Sequence, residues 1–193
     1  MTPAFAAQPL ANAFFYCTIV LWMVIEVRQA LNRRANAANI DRNSLMVLRV
    51  CIVVGVLLSL LALRVTVTAI GLSPVMLAVG LGLMWAGIGL RWWSFRTLGR
   101  YFTFSVMTSA DQPVIMSGPY RLLRHPSYAG MALSLVGVGV TFGNWLSVAA
   151  LVVFAMIGFL YRIRVEEEAL FAALGDTYAA YASQRKRIIP FVW

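Results

Sequence analysis

The chain has 193 residues, of which 61% are apolar and only 12% charged. A soluble domain of this size carries roughly 25% charged residues, so much of this surface faces something other than water. The net charge of +9 would point to nucleic acid in a soluble protein, but here the arginines sit at the ends of apolar runs, which excludes a nucleic-acid partner and assigns them to membrane flanks.

The first apolar run, Phe5–Ile25, is weakened only by Gln8, Pro9 and Asn12. A cleaved signal peptide carries positive charge ahead of its apolar core. The first 25 residues contain no Lys, Arg, Asp or Glu, so the expectation is a retained span. Leu45–Leu63 follows, interrupted by Arg49 one turn from its start, and then Leu72–Leu90, 19 residues without a charge. Each is long enough to cross a bilayer. Cys17 and Cys51 fall within these runs without metal-like spacing and read as small apolar residues. Gly80, Gly82, Gly87 and Gly89 lie inside the third run, where glycine commonly serves helix packing. The segment 94–125 is polar enough to leave the bilayer and carries turn signals at Gly99, Asp111–Pro113 and Ser117–Pro119.

From Pro126 to Tyr161 there are 36 residues without a charge, too many for one span. Gly143-Asn144 is a turn signal near the middle. It divides the window into a helical hairpin, Ser127–Phe142 and Trp145–Tyr161, each arm about 25 Å long at 1.5 Å per residue. Beyond it, Val165–Tyr181 reads as an amphipathic helix with Leu170, Leu174, Tyr178 and Tyr181 on one stripe. Glu166, Glu167 and Glu168 then occupy its first turn, where carboxylates suit the helix dipole. The expected fold is all-α: one polytopic membrane domain with five transmembrane helices. Three spans make up 1–93, and 94–193 forms a second half containing the hairpin and the amphipathic helix.

Five spans collect 15 of the 16 basic residues on one side and leave only Arg64 on the other. The positive-inside rule makes that side cytoplasmic, with the last residues on it and the first residues opposite. Both ends of the hairpin also emerge there. Gly118-Pro119-Tyr120 and Arg124-His125-Pro126-Ser127-Tyr128 therefore share a membrane face with Arg162 and Glu166-Glu167. Converging polar groups beside an apolar cavity mark a candidate site. Plainer readings exist for each residue alone: Arg124 as a snorkelling flank, Pro126 as a first-turn proline, His125 as a helix cap, the glutamates as a solvated face.

Two stretches carry a resemblance. "GPYRLLRHPSYAG" resembles the G-x-Y-x-x-x-R-H-P-x-Y-x-G signature of the isoprenylcysteine carboxyl methyltransferase family, and "RVEEEALFAALGDTYAAY" resembles its E-E-x-x-L-x-x-x-[FL]-G-x-x-Y-x-x-Y segment. "LGRYFTFSV" fits the usual lead-in and "RIIPFVW" the closing R-x-x-P element. The similarity runs from about Leu98 to Trp193; the earlier spans match in number and length only. The resemblance implies an enzyme that uses S-adenosylmethionine (SAM) as cofactor at a cytoplasmic site built by the C-terminal half. It implies that His125, Pro126, Ser127, Tyr128 and Tyr120 bind SAM, that Gln112, Pro113, Val114 and Ile115 hold its adenosyl part largely by backbone, and that Glu166 contacts it. It implies that Arg162 faces a substrate carboxylate, as both catalytic and substrate-binding residue.

The chemistry is compatible with those roles. A carboxylate such as Glu166 suits ribose hydroxyls, an Arg or helix N-terminus suits the cofactor's own carboxylate, and Tyr rings can bracket a cation. Arg162 and Glu166 are four residues apart, on one helical face. Methyl transfer to a carboxylate needs neither a metal nor a base, only proximity and a water-poor site. The leading expectation for the acceptor is a lipophilic, prenylcysteine-type carboxylate drawn from the membrane. The alternative is a lipid amine or a phenolic or enolic hydroxyl, for which His125 or Glu166 would be the base. A non-enzymatic membrane protein, or a reductase of similar topology, is the remaining alternative. The sequence leaves the oligomeric state open.

Overall fold

The computed structural model describes residues 9–31, 38–39, 41–69, 74–101, 107–108, 113–190 and 192–193. The described residues form five α-helices: α1 (Pro9–Ala30), α2 (Ser44–Ala62), α3 (Pro74–Leu98), α4 (Pro126–Thr141) and α5 (Trp145–Ser183). Two two-residue strands, β1 (Ala38–Asn39) and β2 (Met107–Thr108), pair antiparallel. The fold is that of an all-helical polytopic membrane protein. Helices α1, α2, α3 and α5 are long and apolar enough to cross a bilayer. Helix α4 is apolar but has only 16 residues, roughly 24 Å. That is a few ångströms short of a typical hydrocarbon core, a mismatch that bilayers absorb by thinning or by snorkelling flanks.

The helices pack as two close pairs. Helix α3 lies along α4, α2 lies along α5, the α4–α5 hairpin joins the pairs, and α1 rests against α3. Water contributes no driving force between helices in lipid, so close backbone approach must supply the packing. Glycines make it possible. A Cβ on Gly130 would sit 2.6 Å from the Gly87 carbonyl oxygen, and one on Gly137 would sit 2.5 Å from that of Gly80. Of the four glycines in the third run, Gly80 and Gly87 thus face α4, whereas Gly82 and Gly89 have open space around them. On the other pair, a Cβ on Gly158 would meet Leu48 Cδ1 at 2.8 Å.

The hairpin turn falls where the sequence places it. Gly143 adopts φ 66°, and Asn144 caps α5 by accepting from the Ser147 amide at 3.1 Å. The Asn144 amide also donates to the Ala62 and Val65 carbonyls at 3.1 and 3.2 Å, so one side chain fastens the hairpin tip to the end of α2.

Two expectations change. Helix α3 continues to Leu98, so Ser94, expected in the polar segment, is buried in a helix and donates to the Leu90 carbonyl at 2.7 Å. The helix expected over Val165–Tyr181 is not separate: it is the continuation of α5. A bilayer core of about 30 Å takes roughly 20 residues, so α5 projects beyond it from about residue 165. Glu166–Glu168 consequently lie inside a continuous helix and not in a first turn, and the helix dipole does not account for them. The break comes later, at Gly175, whose φ 51° and ψ −131° are open essentially to glycine alone. Past it, Tyr178 and Tyr181 turn inward and are buried.

Gly87→Ala should lower the thermal stability of the detergent-purified protein by about 1–3 kcal/mol, the cost of overpacking a tight contact. Gly89→Ala, in open space on the same helix, should be neutral or mildly stabilising. Thermal unfolding of the two variants against the unmodified protein measures the difference.

Candidate active site

The loop leading into α4 is set by Gly118. Its φ is 55°, and a Cβ there would meet Thr97 Oγ1 at 2.7 Å, so both backbone and space require glycine. A 3-10 turn over Gly118–Arg121 follows and buries Pro119 and Tyr120. Burial first, and Glu166 second, hold the Tyr120 phenol well above its usual pKa, so it stays neutral. The chain then runs beside the last residues: the Arg124 amide donates to the Lys186 carbonyl at 2.8 Å and the His125 amide to that of Arg187 at 2.9 Å. Tyr181, turned inward by the Gly175 break, donates its hydroxyl to the Tyr120 and Leu123 carbonyls at 2.9 and 3.3 Å. Pro126 then opens α4 at its first helical positions, where a missing amide hydrogen costs nothing. His125 stands at the cap position, but its side chain caps nothing.

That side chain turns toward α5. His125 Nε2 lies 3.2 Å from Glu167 Oε1. Arg124 Nη1 reaches the same carboxylate at 2.7 Å, and Arg187 reaches its other oxygen through Nε at 3.0 Å and Nη2 at 2.8 Å. The Glu167 side chain is only 6% exposed, whereas that of Glu166 is 33% exposed. The acidic pair is thus divided: Glu167 is enclosed by the protein's own basic groups, and Glu166 is partly open.

Tyr128 links both charges of the neighbouring turn. Arg162 Nε donates to its hydroxyl at 2.7 Å, and the hydroxyl donates to Glu166 Oε2 at 3.0 Å. The Tyr128 ring packs against His125 and Phe159, with centroids 5.8 and 5.3 Å away. Arg162 Nη1 further donates to Asp41 Oδ1 and Ser44 Oγ, both at 2.8 Å. On the opposite side, buried Arg91 forms a two-point ion pair with Glu26 of α1 and donates to the Ser127 carbonyl at 3.0 Å.

The structure therefore brings His125, Tyr128, Arg162 and Glu166 into one polar cluster, with Pro126 and Ser127 buried at its corner, Ser127 meeting Arg91 through its carbonyl, and the Tyr120 carbonyl held by Tyr181. Pro113, Val114 and Ile115 lie in irregular chain ahead of the Gly118 turn, and among the described residues no hydrogen bond joins them to the cluster. Gln112 lies outside the described residues. The sequence places Glu167 in the converging acidic pair without a binding role of its own, and singles out none of Arg187, Asp41, Ser44, Arg91 or Glu26 as a site residue. The closing R-x-x-P element carries Arg187 and the acidic pair carries Glu167, so those two were within reach. Asp41 meets Arg162 across 121 positions and Glu26 meets Arg91 across 65, with no local pattern to betray either pair.

Glu167→Ala should cost about 3–5 kcal/mol, because it strands buried positive charge. Glu166→Ala should leave the fold nearly unchanged. Thermal melts of the two purified variants give the comparison.

A sequence model of the isoprenylcysteine carboxyl methyltransferase (ICMT) family matches residues 77–172, so the match begins within α3, earlier than the motifs suggested. Protein-S-isoprenylcysteine O-methyltransferase B of Arabidopsis thaliana is 33% identical over 115 residues, 58% of this chain and 58% of that protein. Protein-S-isoprenylcysteine O-methyltransferase A of the same plant is 36% identical over 98 residues, 50% of each chain. The chain thus spans a little over half the length of these curated relatives. A solved structure of the eukaryotic intramembrane Ras methyltransferase ICMT superposes with a TM-score of 0.59 at 26% identity, covering 75% of this chain and 52% of that one. Residues 77–172, which form most of α3, the His125 corner and the acidic stretch of α5, match the isoprenylcysteine carboxyl methyltransferase family.

Proposed function

We propose that the protein transfers a methyl group from SAM to a lipophilic acceptor at the cytoplasmic face of the membrane, with a prenylcysteine-type carboxylate as the acceptor. The observation that carries this reading is the Tyr128 hydroxyl, which holds Arg162 on one side and the partly open Glu166 on the other. One helical turn thereby presents a cation-attracting and an anion-attracting group beside each other. The curated names of the relatives support the same chemistry.

The residues present suit SAM. Glu166 keeps an accessible carboxylate next to two aromatic rings, while the neighbouring Glu167 is closed off. In this reading His125, Pro126, Ser127, Tyr128, Tyr120 and Glu166 hold the cofactor, with 112–115 along its adenosyl part. Bound SAM supplies an electrophilic methyl carried on a sulfonium. Arg162 orients the acceptor carboxylate through a fixed, permanently charged fork. The acceptor's tail stays in lipid beside α4 and α5, and the apolar wall around Phe159 keeps water out. A carboxylate is ionised above about pH 5, so no protein group needs to take a proton. A hydroxyl or amine acceptor is the second reading. The ion pair between Arg162 and Asp41 favours it, because it already matches the charge that an anionic head would bring.

Glu166→Ala and His125→Ala should each weaken binding of SAM or its demethylated product by roughly tenfold or more, as read by calorimetry in detergent. Arg162→Ala should abolish transfer to a carboxylate acceptor while cofactor binding survives, with Arg162→Lys restoring a part. The rate should be flat from about pH 6 to 8 for a carboxylate; a steep rise over that window would establish the hydroxyl or amine reading instead.

The sidedness follows from the 15-to-1 distribution of basic residues. In a background with Cys17 and Cys51 replaced by serine, a cysteine at exposed Val67 should react with an impermeant reagent from the non-cytoplasmic side. One at exposed Ser183 should react only from the cytoplasm. Labelling of position 183 from outside would refute the orientation.

A further inference from the structure

Arg162 is buried and already has a carboxylate of its own. Asp41 Oδ1 stands 2.8 Å from Nη1, and Ser44 Oγ stands 2.8 Å from the same nitrogen. Asp41 does not reach Arg162 by a floppy excursion. Its backbone carbonyl accepts the Ser44 amide at 2.7 Å, its Oδ2 accepts the Leu45 amide at 3.2 Å, and its Oδ1 accepts the Ser44 hydroxyl at 3.0 Å. The carboxylate that meets Arg162 is thus the one that closes the first turn of α2, and its side chain is only 14% exposed. Glu166, hydrogen-bonded to Tyr128, brings a second negative charge within one residue of the guanidinium. An acceptor carboxylate placed on Arg162 therefore enters a site whose positive charge is already matched, and it repels Asp41 at close range.

We propose that Asp41 is a resident competitor for Arg162, and that it sets how strongly the protein selects an anionic over a neutral acceptor head. Asp41 acts through Arg162 and need not touch the acceptor, so it is a positioning residue. A carboxylate acceptor gains Arg162 only to the extent that Asp41 yields it. When Asp41 yields, it keeps its bonds to Leu45 and Ser44, so α2 retains its start and the exchange costs little structure. A neutral head, such as an acceptor hydroxyl or the ester of a methylated product, meets Arg162 with Asp41 still in place. The inference rests on the reading of Arg162 as the group that faces the acceptor.

Asp41→Asn is the informative substitution. Asparagine keeps an acceptor oxygen for the Leu45 amide, so the fold should survive while the charge is removed. Ser44→Ala is the control: it removes a neutral partner of Arg162 and leaves the competing charge. Binding of a farnesylcysteine acid and of its methyl ester to detergent-purified full-length protein gives an acid-to-ester affinity ratio, which a merely structural change would not move. Asp41→Asn should raise that ratio by roughly tenfold or more, the scale of removing one close like charge, whereas Ser44→Ala should leave it within about twofold. An unchanged or falling ratio in Asp41→Asn overturns the proposal. So does an equal rise in Ser44→Ala, or no binding of the acid to either the unmodified protein or Asp41→Asn. Methyl transfer from SAM is scored in the same samples. An acid whose binding depends on Asp41 but which gains no methyl would refute the acceptor reading above and leave the role of Asp41 standing.

Discussion

Glu167 is the group on which the rest of the site depends. A carboxylate taken out of water is strongly unfavourable unless it is paired and hydrogen-bonded, and here Arg124, His125 and Arg187 all converge on it. These partners come from the loop before α4 and from the segment after α5, which are otherwise held mainly by backbone bonds between residues 124–125 and 186–187. Burying one acid thus obliges two distant stretches of chain to meet at a defined place on α5. The arrangement also frees Glu166. With Glu167 enclosed, the neighbouring carboxylate is left partly open beside Tyr128, and division of labour within the acidic pair follows from which face of α5 each residue occupies.

Around that centre, further charge pairs bring in the N-terminal helices. Glu26 of α1 pairs with Arg91 of α3, which in turn holds the carbonyl of Ser127. Asp41, just ahead of α2, pairs with Arg162. The first three helices thus lead polar groups to this region, Glu26 through Arg91, Arg91 directly at the Ser127 carbonyl and Ser44 at Arg162, although the motifs of the family lie in the second half of the chain. Close glycine packing of α3 on α4 places the corner at the end of a rigid pair, and rigid support is what a site working by orientation alone needs.

The existence and order of the helices were legible because lipid imposes length and apolarity so strictly, but the C-terminal ends of α1, α3 and α5 lie beyond the apolar runs that announce them. The hairpin turn at Gly143-Asn144, the first-turn role of Pro126 and the gathering of Arg162, Glu166 and His125 at one face were readable from spacing. The extent of α5 was not. Charged residues from Arg162 onward looked like a new element, but a helix that leaves the membrane can continue into water without any signal in its hydrogen bonding, and only Gly175 interrupts it. Nor was the roll of ion pairs legible: which acid meets which arginine across more than a hundred residues is set by helix packing and not by any local pattern. Asp41 is the clearest instance, since in sequence it is an unremarked acid at the edge of a span.

The proposed seat of the cofactor is the corner formed by His125, Ser127 and Tyr128 with Glu166. A structure of the detergent-purified protein with the demethylated product of SAM bound tests this. The ligand is expected against Tyr128 and His125, with the carboxylate of Glu166 within hydrogen-bond distance of it and Glu167 still enclosed by Arg124 and Arg187. A ligand bound elsewhere, or one held by Glu167 with Glu166 turned to solvent, would contradict it.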